Sequence, residues 1–277
     1  MRRVYRAGAA TLMTAGLGAA QAQSAVSTQP AASAQGDPIA ASAAAPMPSA
    51  SAAPTFEGAL GLVMVYRPAF SGSSDRKISP QLAGFIRYRR ITLTGAGGFT
   101  TRRQDDVERG LDAELLRRER VRINLSLRYD PGRSESQSDQ LRGMGNIKAT
   151  VRTRLGLRWE PAPFWSLSLA TSLDALGSGG GYTVEAGLSR TFILDARQRV
   201  TLGAGLIGAG DRYLQTWYGV TAEQSARSGY PIYEPNAGLR NVHASATWRI
   251  EVNPQWAGFA SLGATRLLGA AADSPLT

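Results

Sequence analysis

His243 is the only histidine of the chain, and Ser245 and Thr247 follow it at two and four residues. In an extended segment the three share one face. An imidazole beside a hydroxyl is the smallest arrangement that supports nucleophilic hydrolysis. No acid is placed in sequence to orient the ring, and one histidine fixes no triad, so no catalytic residue is assigned and the chain does not read as an enzyme. No metal site is expected either: there is no cysteine, and Glu135 and Asp139 in "SESQSD" are too sparse for a calcium cage. The run "GAGLIGAGD", Gly203 to Asp211, carries the Gly-x-Gly-x-x-Gly spacing and the trailing acid of a dinucleotide site. It neither follows a strand nor opens a helix, as a phosphate cradle requires, so it reads as a small-residue strand and no cofactor is expected. Binding chemistry is better represented. Tyr213, Trp217, Tyr218, Tyr230 and Tyr233 crowd one long connection with Gly229, Pro231, Pro235 and Gly238 as turn formers. That connection is either a folded plug or contact surface, or an aromatic cluster that only packs the loop against the elements carrying it.

The elements that must position these residues follow from the ends inward. Arg2, Arg3 and Arg6 precede an apolar run from Ala7 to Ala20, and Ala20-Gln21-Ala22 is a small-x-small cleavage pattern. Residues 1–22 therefore read as a secretory signal peptide cut after Ala22. The run is shorter than the ~20 residues of a bilayer-spanning helix. Residues 23–55, nearly all Ala, Ser, Pro and Gln, cannot bury enough surface to offset ordering and read as a disordered linker. Residues 56–277 have the length of one domain. The net charge of +10 and a pI near 10.5 raise a nucleic-acid reading. The arginines are spread singly along alternating segments, without a basic helix or a nucleic-acid motif, and export argues against it further.

The alternation is the main structural signal. In Lys148 to Glu160, Ala149, Val151, Thr153, Leu155, Leu157 and Trp159 alternate with Arg152, Arg154, Gly156 and Arg158. In 119–130, Val121, Ile123, Leu125, Leu127 and Tyr129 alternate with Arg122, Asn124, Ser126, Arg128 and Asp130; in 241–252, Val242, Ala244, Ala246, Trp248, Ile250 and Val252 alternate with His243, Ser245, Thr247, Arg249 and Glu251. A period of two means one apolar and one polar face per strand. Such strands suit a soluble sandwich or an outer-membrane barrel, and their length of ~10 residues with aromatics near the ends favours the barrel. Arg122, Arg128, Arg152, Arg154, Arg158 and Arg249 are then lumen candidates. Strands are expected at 57–67, 80–89, 91–99, 119–130, 147–160, 164–176, 182–194, 198–210, 238–252 and 255–269. The connections "EPAP", "LDARQ" and "NPQ" are tight, whereas 131–146 and 211–237 are long, matching short periplasmic turns and longer external loops. Counted this way the N-terminus falls outside the cell, so one strand more or fewer is required before residue 118, with 107–117 the place to look.

The segment "YGVTAEQSARSGYPIYEPNAGLRNV" resembles the signature loop of the MipA/OmpV family of outer-membrane proteins, through Tyr218, Gly219, Val220, Thr221, Gln224, Ser225, Ser228, Gly229, Tyr233, Gly238 and Leu239. "GRSESQSDQLRGMGNI" (132–147) is similar to that family's acidic loop, and "RLLGAAADSPL" (266–276) to its C-terminal motif. Together with the strand spacing the resemblance covers the chain from about Phe56 to its end, and three motifs in order make it specific. Ala270, Asn146 and Asn241 stand where Asp is usual in the family. The resemblance implies an all-β, antiparallel transmembrane barrel of about 10–12 strands embedded in outer-membrane lipid. It also implies that the family's last strand is missing after Thr277, so that either the chain is truncated or the first and penultimate strands close directly. The implied role is a structural scaffold joining a lytic transglycosylase, a peptidoglycan hydrolase, to a peptidoglycan synthase, with no nucleic acid. A passive anion-favouring pore or an adhesin-like barrel is the alternative.

Overall fold

The computed structural model describes residues 10–21, 56–68, 70–71, 73, 76–94, 99–100, 106–107, 110–253 and 256–277. Its elements are β1 (Ala10–Gln21), β2 (Phe56–Pro68), β3 (Arg76–Tyr88), β4 (Ile91–Thr94), β5 (Phe99–Thr100), β6 (Asp106–Val107), β7 (Gly110–Arg117), β8 (Val121–Asp130), β9 (Thr150–Trp159), β10 (Trp165–Asp174), β11 (Tyr182–Ile193) and β12 (Gln198–Ala209). Helices α1 (Asp211–Tyr218) and α2 (Ala222–Ser228), strands β13 (Gly238–Glu251) and β14 (Trp256–Leu267), and the short α3 (Gly269–Ala272) complete the chain. All strands except the β5–β6 hairpin form one closed barrel, ordered β1-β14-β13-β12-β11-β10-β9-β8-β7-β4-β3-β2. Its pairings are antiparallel.

Burial decides which solvent each face meets. Leu125, Leu127 and Tyr129 on β8 and Leu155, Leu157 and Trp159 on β9 are 37% to 59% exposed, while Ser126 between them is buried. A sandwich core would bury the apolar parity. Here that parity forms the outside of a closed sheet, which is stable only against hydrocarbon. Phe56, Tyr88, Trp159, Phe164, Phe192, Trp248 and Trp256 stand exposed at the strand ends nearest the tight turns, an aromatic girdle at one membrane interface. The inner face is not uniformly polar: Val63, Val65 and Ala83 are buried on it and pack with Phe259, so β2, β3 and β14 line the interior with apolar groups.

A strand does lie in the region that strand parity pointed to. β7 at Gly110–Arg117 pairs with β4 and β8. The sequence hid it because the register shifts between Glu114 and Leu116. The extra Leu115 breaks the alternation that marks the other strands, as a bulge does. With β7 counted, β2 starts at the tight-turn end, which settles the parity of the 56–277 domain; β1, antiparallel to β2, itself starts at the loop end. Of the expected strand at 91–99, Ile91–Thr94 is β4 and 95–98 lie outside the described residues; the expected start at 80 moves back to Arg76.

The segment assigned from sequence to a signal peptide lies between β14 and β2. Leu17 pairs with Gly258 on one side and Leu62 on the other. The first strand of the 56–277 domain and β14 therefore do not close directly; β1 stands between them. The expected disordered linker, 23–55, lies outside the described residues.

Candidate functional site

The β2–β3, β8–β9, β10–β11 and β12–β13 connections and the segment after β14 leave the barrel at the end opposite the tight turns, and there they fold into one cap. Most of the signature residues earn their place through local folding chemistry. Thr221 is the N-cap of α2: its hydroxyl accepts from Gln224 N at 3.3 Å, and the Gln224 side-chain oxygen accepts from Thr221 N at 2.9 Å, a complete capping box. Ser225 supplies the carbonyl that accepts from Gly229 N, and Gly229 ends the helix at φ 79°, a left-handed position that favours glycine. The Ser228 hydroxyl donates to Gln224 O at 2.7 Å and accepts from Tyr230 N at 3.3 Å. Gly219 follows α1 where an added Cβ would meet the Gln215 side chain at 2.3 Å and its carbonyl oxygen at 2.5 Å, so nothing larger fits.

Packing joins this loop to the other two motif segments. Val220 and Tyr218 are 0% and 2% exposed. Val220 clusters with Met144 of the β8–β9 loop and Leu276 near the C-terminus, with Tyr230 and Tyr233 against them. Tyr218 and Leu214 pack with Ala271 of α3. The Gln224 amide donates to Met144 O at 2.8 Å, Arg227 to Gly143 O at 3.2 Å, the Tyr230 hydroxyl to Gln140 O at 3.1 Å, the Tyr233 hydroxyl to Ala270 O at 2.8 Å, and Ser274 to Tyr218 O at 2.7 Å. Two further loops join in, Ser71 bonded to the Tyr218 hydroxyl at 2.8 Å and Thr216 donating to Gly179 O at 2.5 Å. Gly238 and Leu239 do not belong to the cap; they begin β13 and are exposed.

Sequence reasoning missed Arg133, whose position among other loop arginines gives no hint of its burial. It is 4% exposed, donates to Trp217 O at 2.8 Å and lies 6.0 Å from that ring. Desolvation lowers its pKa to about 10, with the Tyr218 phenol opposing the shift. Burial, chiefly, pushes the Tyr218 phenol up, with Tyr213 adding to it, so it remains a neutral hydroxyl at physiological pH. Two of the three departures from family Asp keep an acceptor in place: Asn146 accepts from Glu135 N at 3.0 Å, and Asn241 from Arg240 at 2.6 Å. Ala270 offers only its carbonyl, which Tyr233 uses.

Loosening this core should show first at α2. Leu214→Ala removes a fully buried side chain, which costs about 2–5 kcal/mol in a well-packed site, and is expected to expose Arg227 to trypsin. The unsubstituted protein should resist cutting after Arg227 in the native state; rapid cutting there would mean that the loop is loose.

Inside the barrel the arginine parity meets carboxylates. Arg152 pairs with Asp130 at 2.7 Å, Arg154 with Glu185 at 3.1 Å, Arg122 with Glu160 at 3.3 Å, and Arg249 lies 3.7 Å from Glu251, which also accepts from Arg199 at 2.9 Å. Register sets Arg122 opposite Arg158 and Arg128 opposite Arg152. The wall from β8 to β13 is thus a laced ion-pair network. The sequence places Asp130 and Glu251 on the polar parity with the arginines; Glu160 and Glu185 as partners of Arg122 and Arg154 come from the structure.

The remaining candidates find no catalytic geometry. Among the described residues no carboxylate is hydrogen-bonded to His243, whose ring lies over Gly205, and no group of three or more His, Cys, Asp or Glu could hold a metal. Gly203, Gly205 and Gly208 sit within β12. A helix, α1, does open at Asp211, contrary to the sequence reading, but the glycines are paired in the sheet and form no phosphate cradle.

Outward apolar strands, an inward ion-pair lattice and a folded cap define an outer-membrane β-barrel. The family model described as "MltA-interacting protein MipA" matches residues 60–277, and the chain belongs to that family. No curated protein matches it. Among solved structures, OprD of Pseudomonas aeruginosa is 9% identical with a TM-score of 0.30 over 94% of this chain and 58% of its own, so this chain spans little more than half of that porin. A triple mutant of Rhodopseudomonas blastica porin is 10% identical, TM-score 0.27, over 94% and 99%; OccK8 (OprE) of P. aeruginosa is 10% identical, TM-score 0.31, over 97% and 72%. Likenesses this weak add nothing to the family assignment.

Proposed function

We propose that this barrel is a non-enzymatic structural scaffold of the outer membrane, with its tight turns in the periplasm and its cap outside. In this reading its partners are a lytic transglycosylase and a peptidoglycan synthase. The family description, which names an interaction with MltA, supports the first partner. The observation that favours a scaffold over the alternative pore is the cap: five segments of chain meet across the loop end with Leu141, Leu214, Tyr218 and Val220 fully buried. A channel selected for passage keeps its mouth wet, whereas this mouth is filled with a packed core. Residues 10–21 stand in the barrel as β1, so in this reading the export signal is retained, and residues 23–55 connect β1 to β2 at the periplasmic end.

The test pairs two measurements on the full chain. In planar bilayers the protein should give no steady current; an anion-selective conductance would establish the pore. On membranes it should retain a lytic transglycosylase and a peptidoglycan synthase together, and failure to retain either would end the scaffold reading.

A further inference from the structure

The tight-turn end carries its basic charge unevenly. The β3–β4 turn is Arg89-Arg90, and the neighbouring β7–β8 hairpin ends in Arg117-Arg118-Glu119-Arg120. The turns further round, "EPAP", "LDARQ" and "NPQ", hold one arginine between them. The two basic turns are adjacent because β4 pairs with β7, and Glu114 N donates to Arg90 O at 2.8 Å. From that point the β7–β8 hairpin runs on by several residues at ~3.3 Å each, so its arginines lie up to roughly 10 Å farther along the strand direction. Glu114 is engaged by Arg117 at 2.5 Å. Among the described residues Arg89, Arg90 and Arg118 have no carboxylate partner, and Arg120 reaches only Pro161 O at 3.4 Å.

Two details indicate what these charges face. Arg89 sits at φ 52°, a left-handed position that costs a non-glycine residue of order 1 kcal/mol and that glycine or asparagine would fill more cheaply. Its guanidinium lies 5.4 Å from the Tyr88 ring, and Tyr88 is an exposed member of the aromatic girdle on the lipid side. Above it Ile86, Ile91 and Leu93 are all more than half exposed to hydrocarbon. Arginines just beyond a girdle, on the strands that carry it, lie at headgroup depth.

We propose that Arg89, Arg90, Arg118 and Arg120 form a binding rim for the phosphate of an anionic phospholipid headgroup. This rests on the barrel spanning a membrane, and not on the scaffold role. Arginine suits the task through bidentate contact with phosphate oxygens, and two tiers of arginine allow one headgroup to be gripped from two depths.

The experiment is native mass spectrometry of the folded full chain released from micelles doped with equal phosphatidylglycerol and phosphatidylcholine. The protein should retain phosphatidylglycerol in preference. The Arg89→Gln, Arg90→Gln, Arg118→Gln, Arg120→Gln variant should lose that preference by roughly tenfold or more. Arg190→Gln removes a girdle arginine away from the rim, 4.9 Å from Trp165 and 4.8 Å from Phe192, and should keep the preference. Equal retention of both lipids by the parent, or a preference unchanged in the fourfold variant, overturns the proposal. So does displacement of phosphatidylglycerol by an acidic peptide at low concentration, which would make the rim a protein-docking surface. A heat-modifiable gel band for each variant separates loss of binding from loss of fold, and a current or a failed enzyme pull-down would leave this result untouched.

Discussion

Leu155→Arg is expected to destabilise the folded barrel by about 2–4 kcal/mol, the cost of a basic side chain on the lipid face near mid-membrane. Arg154→Ala, one residue away, is expected to cost about 1 kcal/mol or less. Leu155 lies in the middle of β9 and is 46% exposed on the outer face. Its replacement sets a guanidinium in hydrocarbon with no water within reach. Arg154 points inward to Glu185 at 3.1 Å, both side chains partly open to the lumen at 22% and 35%. A solvated pair of this kind contributes little, and the carboxylate left behind can hydrate. Urea unfolding of the two variants in lipid vesicles measures the difference. If both substitutions cost the same, the two faces of β9 see the same medium, and the assignment of lipid outside and water inside is wrong.

The same alternation explains how much of this molecule its sequence exposes. Where a strand faces lipid on one side and water on the other, as β8 and β9 do, parity identifies both the strand and the direction of each side chain. That reading fails at three kinds of place, each for a physical reason. At β7 the bulged Leu115 shifts the register, so two apolar residues stand in a row and the period is lost. On β2 and β3 both faces are apolar, because Val63, Val65 and Ala83 pack inside with Phe259 while Leu60, Leu62 and Met64 face out. In the cap the signal is neither period nor charge. The motif residues are legible as a pattern, and their roles emerge only from which carbonyl each side chain reaches: Gln224 to Met144, Tyr233 to Ala270, Ser274 to Tyr218. These contacts span up to 80 residues, so no local rule announces them. The capping box is the exception, since Thr221 and Gln224 stand at the spacing that defines it.

Removing residues 1–22 is expected to abolish the compact, heat-sensitive gel band, because it takes away β1. Its loss leaves the edges of β14 at 256–265 and of β2 at 58–66 without their present neighbour. Every second residue on each edge then holds an unpaired N–H and C=O in hydrocarbon, at several kcal/mol apiece. The total exceeds the 5–15 kcal/mol by which a folded domain is stable. Direct closure does not rescue it. β1 is antiparallel to both neighbours, so β2 and β14 run in the same direction, and joining them requires a parallel ladder across a gap of about 10 Å, two strand spacings. The same geometry names a repair. β1 runs from the loop end to the tight-turn end, and Thr277 lies at the loop end beside α3, its hydroxyl donating to Ala271 O at 3.2 Å. A copy of the 10–21 sequence joined after Thr277 through a short flexible linker would enter the vacant position with the correct polarity. The truncated chain should therefore migrate as unfolded, and the chain with the appended strand should regain the compact band. If residues 23–277 alone give a compact band that heat converts, the barrel closes on eleven strands and the seam has no need of β1.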